Sequence, residues 1–302
     1  MIILSQIVLD KYQPLFYNEV MEYRVDQDLK VLREYLLLTN EELAEEIGIP
    51  FETFSRIINQ RIDPSSEILE KIYSFIYKKE IKLNELKVKA YEKRHRLIFV
   101  HGSKNEINGP LSLDYSRDNV DMGKGFYAGD NYHQAVDFVC HVPKSSVYVL
   151  DVSFEKLSIL KLDVSLDWML SIAYYRGMLE KFKNTEKYRQ ISDKLSGYDV
   201  IIAPIADIRM FTTINDFLDG MITSEQAVHA INALHLGDQI VFKTEKALRN
   251  VKLLERLYLC NDERKVSQKE KINLIHETEH HVFEQYQKYL RQGEYVTEVF
   301  KQ

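Results

Sequence analysis

The chain has 302 residues, of which 45% are hydrophobic and 28% are charged, and its formal net charge is −6. A chain of this length and apolar content can bury a sizeable core, which excludes intrinsic disorder for most of it and predicts about two domains. The acidic balance excludes a general affinity for polyanions, so a contact with nucleic acid has to come from a local basic patch.

The sequence predicts a cytoplasmic protein without membrane contact. No stretch approaches the roughly 20 uncharged apolar residues of a membrane-spanning helix. The apolar start MIILSQIVLD lacks the basic region of a secretion signal and soon meets Asp10 and Lys11. The 2 cysteines, Cys140 and Cys260, are too few for a disulfide framework or a four-ligand metal cluster.

The first part of the chain is predicted to be helical. Residues 1–25 form an apolar extension, which would cover another surface within the chain or in a homodimer. From there the apolar residues recur with a helical period. This period predicts short helices at about 26–37, 40–47, 51–59 and 65–78. Asn40 is the expected N-cap of the second helix, and Gly48 is expected to end it.

The run NEELAEEIGIPFETFSRIINQR resembles the helix-turn-helix of Cro and repressor proteins, and the likeness covers about residues 28–80. The resemblance implies that residues 51–59 are a recognition helix whose side chains face a DNA groove. With Glu52 on the same face, the expected DNA-binding residues are Thr53, Ser55, Arg56, Asn59 and Arg61.

The charges around this segment do not decide whether it binds DNA or a protein. Residues 28–63 contain four basic and eight acidic side chains, whereas residues 71–96 contain nine basic and three acidic ones. Phosphate contacts supply most non-specific affinity, so the acidic part needs the basic segment beside it in order to bind DNA. The alternatives are that residues 81–96 form a solvated basic helix linking two domains, and that the helices bind a protein or dimerise.

From residue 97 onward, short apolar runs alternate with turns and helical stretches. Strands are predicted at 97–100, 147–152, 157–160, 200–203 and 240–243, and helices at about 130–141, 165–195 and 212–235. After about residue 263 a long polar helix follows, with Ser267 and Glu270 as its expected capping box. The strands are too irregularly spaced for βαβ repeats, so the predicted class is α+β.

Two short motifs in this part carry the candidate chemistry. HGS occupies residues 101–103 at the end of an apolar run, and GKGFYA occupies residues 123–128. With GYDVIIAPIADIRMF and LGDQIVFKTEKAL, they resemble the signature of the ADP-ribosyltransferase superfamily, in its diphtheria-toxin and poly(ADP-ribose) polymerase branch, over about residues 97–258. The likeness is greatest to an uncharacterised bacterial domain family of that branch. It implies a split β-sandwich with helical insertions.

The resemblance also assigns roles to individual residues. It implies that His101 hydrogen-bonds a ribose hydroxyl of NAD, that Gly102 clamps the nicotinamide carboxamide with its backbone, and that Ser103 adds a hydroxyl contact. It places Tyr127 and Phe138 on the two faces of the nicotinamide ring. Separate contacts to the leaving ring and to the ribose allow binding energy to stabilise the charge-separating transition state. The structural alternative is a satisfied strand-end histidine and two core aromatics.

Two positions depart from the family pattern. The family carries a glutamate at the start of its last core strand, which binds the ribose 2′-hydroxyl and activates the acceptor. This chain has Gln239 there, which carries no charge and takes no proton. Where the polymerases have a serine near the nicotinamide amide, this chain has Ala135. Chain elongation is therefore not expected, whereas transfer of a single ADP-ribose, or loss of activity, is.

Three charged residues are candidates to compensate for these departures. Asp207 and Arg209 follow an apolar strand, where they would position an acceptor or a phosphate. Arg117 lies between the two motifs and would meet the NAD pyrophosphate. The structural alternative is an Asp–Arg pair without a ligand and a solvated Arg117.

The run HETEH at residues 276–280 matches the H-E-x-x-H zinc pattern. Both histidines lie at the edge of an apolar stripe on the predicted helix, and the only later third-ligand candidates, such as Glu294 and Glu298, are near the terminus. We therefore expect an incidental surface match and no metal site.

The sequence thus predicts an extension, a helix-turn-helix domain, a basic linker helix, an ADP-ribosyltransferase-like domain and a C-terminal helix, at residues 1–25, 26–80, 81–96, 97–262 and 263–302. The expected function is NAD-dependent mono-ADP-ribosyl transfer onto DNA or a DNA-associated protein, as in toxins and phage defence, with NAD as the substrate. The alternatives are a weakly catalytic NAD- or nucleotide-sensing transcriptional regulator, and a toxin–antitoxin interaction module that binds an antitoxin or a target protein.

Overall fold

The computed structural model describes residues 2–12, 23–94, 97–234 and 237–301, without the side chains of residues 2, 10, 208 and 275–279. The helices are α1 (Ile2–Lys11), α2 (Val25–Leu36), α3 (Asn40–Ile47), α4 (Phe51–Ile58), α5 (Ser66–Lys78), α6 (Leu83–Glu92), α7 (Tyr132–Val139), α8 (Leu166–Tyr175), α9 (Glu186–Leu195), α10 (Ile208–Leu218), α11 (Ser224–Asn232), α12 (Glu245–Leu248), α13 (Asn261–Lys288) and α14 (Val296–Val299). The strands are β1 (Ile98–Ser103), β2 (Phe126–Gly129), β3 (Ser146–Val152), β4 (Ile159–Lys161), β5 (Val200–Pro204), β6 (Asp238–Phe242) and β7 (Val251–Tyr258). The protein is therefore of mixed α and β structure, and its described N-terminal part is helical.

The chain divides into two compact units that differ from the expected segments. The first unit comprises Met1–Pro110, Asn131–Ser153 and Val251–Lys269, and the second comprises Leu111–Asp130, Phe154–Asn250 and Glu270–Gln302. The helices α1 to α6 thus share a unit with β1, β3 and β7. The expected domain at residues 97–262 contributes to both units.

The helices α2 to α5 lie where the helical period predicts them. The side chain of Thr39 accepts a hydrogen bond from the Glu42 backbone, and Glu42 returns one to the Thr39 backbone, which makes a capping box for α3. The N-cap is therefore Thr39, and the expectation of Asn40 is wrong by one residue. Gly48, with φ of 76°, ends α3 as predicted, and Ser65 caps α5.

The apolar N-terminal extension covers a surface within its own unit. Leu4 and Val8 of α1, together with Tyr12 just after it, are buried at 3% exposure or less. They join a core that is built from the apolar faces of α2 to α6, including Leu29, Leu32, Leu43, Phe54, Ile57, Ile72 and Leu83. The described residues of the extension therefore cover a surface within the chain, which is one of the two expected alternatives.

Helix α6 is not the solvated linker expected at residues 81–96. Seven of its 10 residues are buried, and Lys87 among them is fully enclosed. The Lys87 Nζ donates to both carboxylate oxygens of Asp28 on α2, at 2.9 and 3.1 Å, and also pairs with Glu255 on β7. A buried charge is tolerated when it is paired in this way, so the helix packs inside the first unit.

Tyrosine hydroxyl groups complete the shell around these three charges. Tyr12 and Tyr73 donate to the Asp28 carboxylate, and Tyr91 donates to Glu255 Oε2 at 2.8 Å. Burial raises the pKa of Glu255, with Lys87 opposing that shift. Burial also lowers the pKa of Lys87, but the two carboxylates outweigh it, so its pKa lies above the usual value. The ammonium group therefore stays charged in the core.

The strands of the first unit form an antiparallel arrangement with β3 between β1 and β7. His101 pairs with Tyr148, Val149 pairs with both Val100 and Glu255, and the register of β7 shifts between Val149 and Leu150. Strand β7 was not predicted, because its charged residues interrupt the apolar pattern. Glu255 is buried there because Lys87 neutralises it, which a strand pattern cannot show.

The second unit has four neighbouring strands in the order β4, β5, β6 and β2. Strands β4 and β5 are parallel, whereas β5–β6 and β6–β2 are antiparallel. Its core centres on Trp168 of α8, which is fully buried and whose Nε1 donates to the Pro204 carbonyl at 3.2 Å. Strand β2 has only 4 residues and was not predicted.

The C-terminal part contains the predicted long helix, but its start differs. Helix α13 begins at Asn261, so Ser267 lies inside it, and the Ser267 hydroxyl donates to Asp137. The expected capping box of Ser267 and Glu270 is therefore wrong. Within the described ranges, the helices include none with the length and apolar character that crossing a bilayer requires.

The Lys87 environment predicts a large effect of removing its charge. In Lys87→Met, Asp28 and Glu255 keep their buried position but lose their shared cation, which costs about 3–5 kcal/mol. Urea unfolding of the full chain measures this loss. As the control, Lys89→Met on the exposed side of α6 changes stability by no more than about 0.5 kcal/mol. Equal stabilities of the two variants would contradict the assignment.

Candidate functional site

The candidate site residues are distributed over both units. The first unit contains His101, Gly102, Ser103 and Phe138, and the second contains Arg117, Tyr127, Asp207, Arg209 and Gln239. The candidate DNA-binding residues are all in the first unit.

Gly102 is needed for packing inside the first unit. A Cβ atom at this position would lie 2.3 Å from the carbonyl oxygen of Ala135, so α7 approaches β1 too closely for any side chain. Ala135 is itself buried, at 6% exposure. The close approach of α7 to β1 is therefore made by the Ala135 backbone. His101, one residue earlier, is half-buried, with its ring centroid 6.5 Å from that of Tyr148.

Phe138 is on the outer face of α7 rather than in the core. Its side chain is 59% exposed, and the Lys104 ammonium lies 5.3 Å from its ring centroid. The structural alternative of a core aromatic is thus excluded for Phe138. An exposed ring with a cation over one face is available to an aromatic ligand.

Tyr127 anchors the loop that precedes β2. Its hydroxyl donates to the Gly123 carbonyl at 2.6 Å and accepts from the Met122 backbone at 3.1 Å. Burial raises the pKa of Tyr127, so the hydroxyl remains protonated. Gly123 has φ of +68°, and a Cβ there would lie 2.5 Å from the Tyr175 ring. The group that approaches this glycine is therefore a protein side chain.

Lys243 also holds this loop. Its Nζ donates to the Met122 carbonyl and lies 4.8 Å from the ring centroid of Tyr175. Burial lowers the pKa of Lys243 to about 8. A fraction of this amine is therefore neutral in weakly alkaline solution, which is unusual for a lysine.

Gln239 lies near Tyr127 on the neighbouring strand. In the antiparallel pair β2–β6, Tyr127 is opposite Val241 and Gly129 is opposite Gln239. Residues two apart on a strand face the same side, so Tyr127 and Gln239 occupy diagonal positions, typically about 7 Å apart. Gln239 is 7% exposed, and its Nε2 donates to the Pro204 carbonyl at 3.1 Å. The fold thus brings together two residues to which the resemblance assigns ligand contacts.

Asp121 adds a carboxylate that the sequence analysis missed. Arg176 at the end of α8 donates to its Oδ1 from Nε at 3.2 Å and from Nη2 at 2.7 Å. Hydrogen bonds from Arg176, from the side chain of Gln239 and from the backbone of Ala206 act to lower the pKa of Asp121. Burial raises the pKa of Asp121 above its usual value although these hydrogen bonds oppose the shift. We call Asp121, Arg176 and Gln239 the Asp121 cluster.

The pair of Asp207 and Arg209 is accounted for by local structure. Asp207 is the N-cap of α10 and accepts from the backbones of Arg209 and Met210 at 3.0 and 3.1 Å. The Arg209 Nε donates to Asp207 Oδ2 at 2.6 Å, and its Nη1 donates to the Leu274 carbonyl. The structural alternative therefore explains these contacts without a ligand. Arg117 is exposed.

The helices of the candidate recognition surface present few unneutralised cations. On α4 and after it, Arg56, Asn59 and Arg61 are exposed, whereas Thr53 and Ser55 are half-buried. The basic segment beyond them forms ion pairs with carboxylates, namely Lys71 with Glu67, Lys78 with Asp262, Lys79 with Glu46 and Lys82 with Glu85. With Lys87 buried as well, this segment supplies less positive surface than its composition predicts.

The zinc-like run falls partly outside the described residues. The side chains of His276 and Glu277 are not described, and His280 pairs with Glu284 at 3.2 Å. Among the side chains that are described, no three or more of His, Cys, Asp and Glu are grouped as a metal ion requires.

Glu263 titrates in the first unit near neutral pH. Its Oε1 accepts from the Tyr132 hydroxyl at 2.8 Å, and the Asn84 amide donates to the same hydroxyl at 2.9 Å. Burial raises the pKa of Glu263 to about 7, with a smaller contribution from the charge of Glu85. Neither motif reasoning nor periodicity indicates this group, because its shift comes from its enclosure.

One comparison with known protein families matches part of the chain. The sequence model of a family described as Protein of unknown function (DUF3990) matches residues 97–253. This range contains every candidate NAD-contacting residue named above and the Asp121 cluster, and it begins after α6. Neither a curated protein nor a solved structure matches the chain.

The shifted Glu263 predicts a pH-dependent stability. The folded-state pKa lies above that of the unfolded chain, so its stabilising effect is complete below about pH 4.5 and is lost as the pH rises through about 7. The loss amounts to about 3 kcal/mol at one pKa unit per 1.36 kcal/mol. Urea unfolding at about pH 5 and pH 8 measures it.

Glu263→Gln removes this titration and keeps an acceptor for Tyr132, so the variant is more stable than the wild type at the higher pH. Glu270→Gln, at an exposed position on the same helix, keeps the wild-type pH dependence. An unchanged pH dependence in Glu263→Gln would refute the assignment.

Proposed function

The chain belongs to the family described as Protein of unknown function (DUF3990), and we propose that it is an NAD-dependent mono-ADP-ribosyltransferase acting on a macromolecule. The observation that carries the proposal is the diagonal placement of Tyr127 and Gln239 on β2 and β6. An aromatic ring beside hydrogen-bonding groups for hydroxyls suits a nicotinamide riboside.

The reaction requires little covalent chemistry from the protein. The bond between ribose C1′ and the nicotinamide nitrogen breaks, and its electron pair neutralises the pyridinium ring. A nucleophilic atom of the acceptor then bonds to C1′ and releases its proton. Because the transition state has oxocarbenium character, the site needs groups that bind ribose hydroxyls and favour positive charge. Tyr127 supports the leaving ring, and the Asp121 cluster supports the ribose.

The proposal keeps the roles that the resemblance assigns to His101, Gly102, Ser103 and Phe138. The exposed ring of Phe138 supports its assignment as a residue that stacks on nicotinamide. The packing of Gly102 against Ala135 explains the presence of this glycine without a ligand as well. Asp207 and Arg209 are occupied by helix capping and are the weaker candidates for catalysis. The neutral Gln239 favours transfer of a single unit over chain elongation.

We propose DNA or a DNA-associated protein as the acceptor, in a cytoplasmic toxin or phage-defence role. The support is the order of the short helices α2 to α5, their shared apolar core and the side-chain caps of α3 and α5, which suit a helix-turn-helix arrangement. A macromolecule bound by these helices would be held by the same chain that carries the transferase residues.

Nicotinamide release tests the proposed activity. The full chain is incubated with NAD labelled in the adenylate part, alone, with DNA and with cell lysate. We expect free nicotinamide together with label on a macromolecule. Absence of both products under all three conditions would refute the enzymatic proposal.

Tyr127→Ala tests the stacking assignment. Loss of one base–aromatic stack costs about 1–3 kcal/mol, which corresponds to NAD binding weakened roughly 10- to 100-fold. Calorimetric titration with NAD measures the change. Tyr115→Ala is the matched control, since Tyr115 is in the same unit and 52% exposed. Equal affinities of the two variants would remove Tyr127 from the site.

A second candidate is a regulator that senses NAD or a nucleotide without turnover, and the uncharged Gln239 favours it. NAD would then bind without nicotinamide release and change DNA affinity. That affinity would fall steeply with salt, and Arg56→Ala would reduce it more than Lys71→Ala, because Lys71 is paired with Glu67. If DNA does not bind, the ion-paired lysines favour the third possibility, a surface for an antitoxin or target protein.

A further inference from the structure

We propose that Lys243 is a nucleophilic lysine and a modification site of the second unit, whose amine takes an acyl group from a small acyl phosphate. Three features of the side chain carry this assignment: the surroundings of its Nζ atom, the lack of a carboxylate partner among the described residues, and the narrow space at the loop before β2. This reactivity is independent of the proposed transferase function.

The Lys243 side chain lies against the glycines of the loop before β2. Its Nζ donates to the Met122 carbonyl and is 4.8 Å from the ring centroid of Tyr175. A Cβ atom on Gly123 would lie 3.2 Å from this Nζ, and one on Gly125 would lie 3.5 Å from the Lys243 Cδ. The two glycines therefore leave room for the amine between a carbonyl group and an aromatic ring.

The charge of this ammonium group is unpaired. Among the described side chains, no carboxylate forms an ion pair with Lys243. Two neighbouring lysines differ, since Lys124 of the same loop pairs with Asp114, and Lys246 pairs with Asp199 at 2.7 Å. Removing an ammonium group from water without a counter-charge favours its neutral form. Enclosure alone therefore lowers the pKa of Lys243 to about 8.

The neutral amine is the form that attacks a carbonyl carbon. At about pH 7.5, roughly a quarter of Lys243 is neutral, against roughly 0.1% of an ordinary lysine. The side chain is half-buried, so part of it remains in contact with solvent. An electrophile that reaches it has to be small, because the amine is enclosed by Met122, Gly123 and Tyr175.

The reaction with an acyl phosphate needs no further reagent. The lone pair of Nζ attacks the carbonyl carbon and forms a carbon–nitrogen bond. The bond between that carbon and the bridging phosphate oxygen breaks, and inorganic phosphate leaves with the electron pair. The amine loses one proton to water, so the product is a neutral secondary amide.

Acylation also affects the loop itself. A Cβ atom on Gly123 would already lie 2.5 Å from the Tyr175 ring, so the space beside the amine is filled. An acyl group on Nζ therefore has to displace the ring or the loop backbone. The same loop is held by the Tyr127 hydroxyl, which accepts from the Met122 backbone at 3.1 Å. We expect acylation to loosen the segment that precedes β2.

Peptide mass spectrometry of the full chain tests the reactivity. The protein is treated briefly with limiting acetyl phosphate between about pH 6 and pH 9, and acetylation of each lysine is quantified. At about pH 7.5 we expect Lys243 to react about 10-fold faster than Lys124 or Lys246, because the gain in neutral amine exceeds the loss of nucleophilicity at lower pKa. The Lys243 rate rises with pH and levels off above about pH 8.

Lys124 and Lys246 are matched controls within the same unit, since their side chains are 49% and 50% exposed but ion-paired. Their rates continue to rise up to about pH 9. A Lys243 rate no higher than those of the controls, or one that does not level off, would overturn the assignment.

The groups around the amine do not titrate in this range. Tyr175 from α8 faces it directly, and Tyr127 from β2 faces it across the Met122 backbone. Burial raises the pKa of both hydroxyls, that of Tyr175 to about 12, so both keep their protons. In the loop, the Asp121 carboxylate is bound by Arg176. A midpoint near pH 8 therefore reports Lys243 itself.

Two variants test the effect on the loop. Lys243→Gln imitates the neutral acylated side chain, whereas Lys243→Arg keeps the cation and is not acylated. Hydrogen-exchange mass spectrometry compares the peptide containing residues 120–127 in both. We expect exchange about 5- to 10-fold faster in Lys243→Gln, as for the loss of one hydrogen bond, with no difference in residues 186–195. Equal exchange in the two variants would refute the coupling. Neither experiment uses NAD, so both outcomes stand even if the transferase proposal fails.

Discussion

The first unit depends on the placement of one ammonium group in its interior. Lys87 of α6 is shared by Asp28 of α2 and Glu255 of β7, so three segments distant in sequence meet at a single cation. Each of these charges would be costly to bury alone, and removing one leaves the others uncompensated. The N-terminal helices and β7 therefore form one cooperative unit, and the helix expected to link two domains is part of a core.

In the second unit, the equivalent constraint is the short loop before β2. Tyr127 and Lys243 bind its backbone, and Gly123 lets the ring of Tyr175 approach it. Gly123 of the GKGFY motif is thus required by packing, whereas Tyr127 of the same motif is also the proposed support of the leaving ring. The same loop carries Asp121, whose carboxylate accepts two hydrogen bonds from Arg176. The GKGFY motif therefore fixes the loop that carries the Asp121 carboxylate.

Local rules predicted much of the secondary structure. The helices α2 to α5 follow from apolar periodicity and from capping residues, and strands β1, β3, β5 and β6 follow from short apolar runs. Strand β7 and the burial of α6 were not predicted, because their charged residues are paired with groups far away in the sequence. Of the site, the motif order indicated Tyr127 and Gln239, whereas nothing in the sequence singles out Asp121 among many aspartates.

The sequence by itself determined that α2 to α5 are helical, that Gly48 ends α3, and that β1, β3, β5 and β6 are extended. These features follow from interactions between residues close in the chain, which a pattern can represent. The tertiary structure alone decided that Lys87 is an interior cation, that Gly102 and Gly123 are required by packing, and that Arg176 binds Asp121. The physical reason is that burial and charge pairing are properties of spatial neighbours, and these neighbours are set by the folded chain.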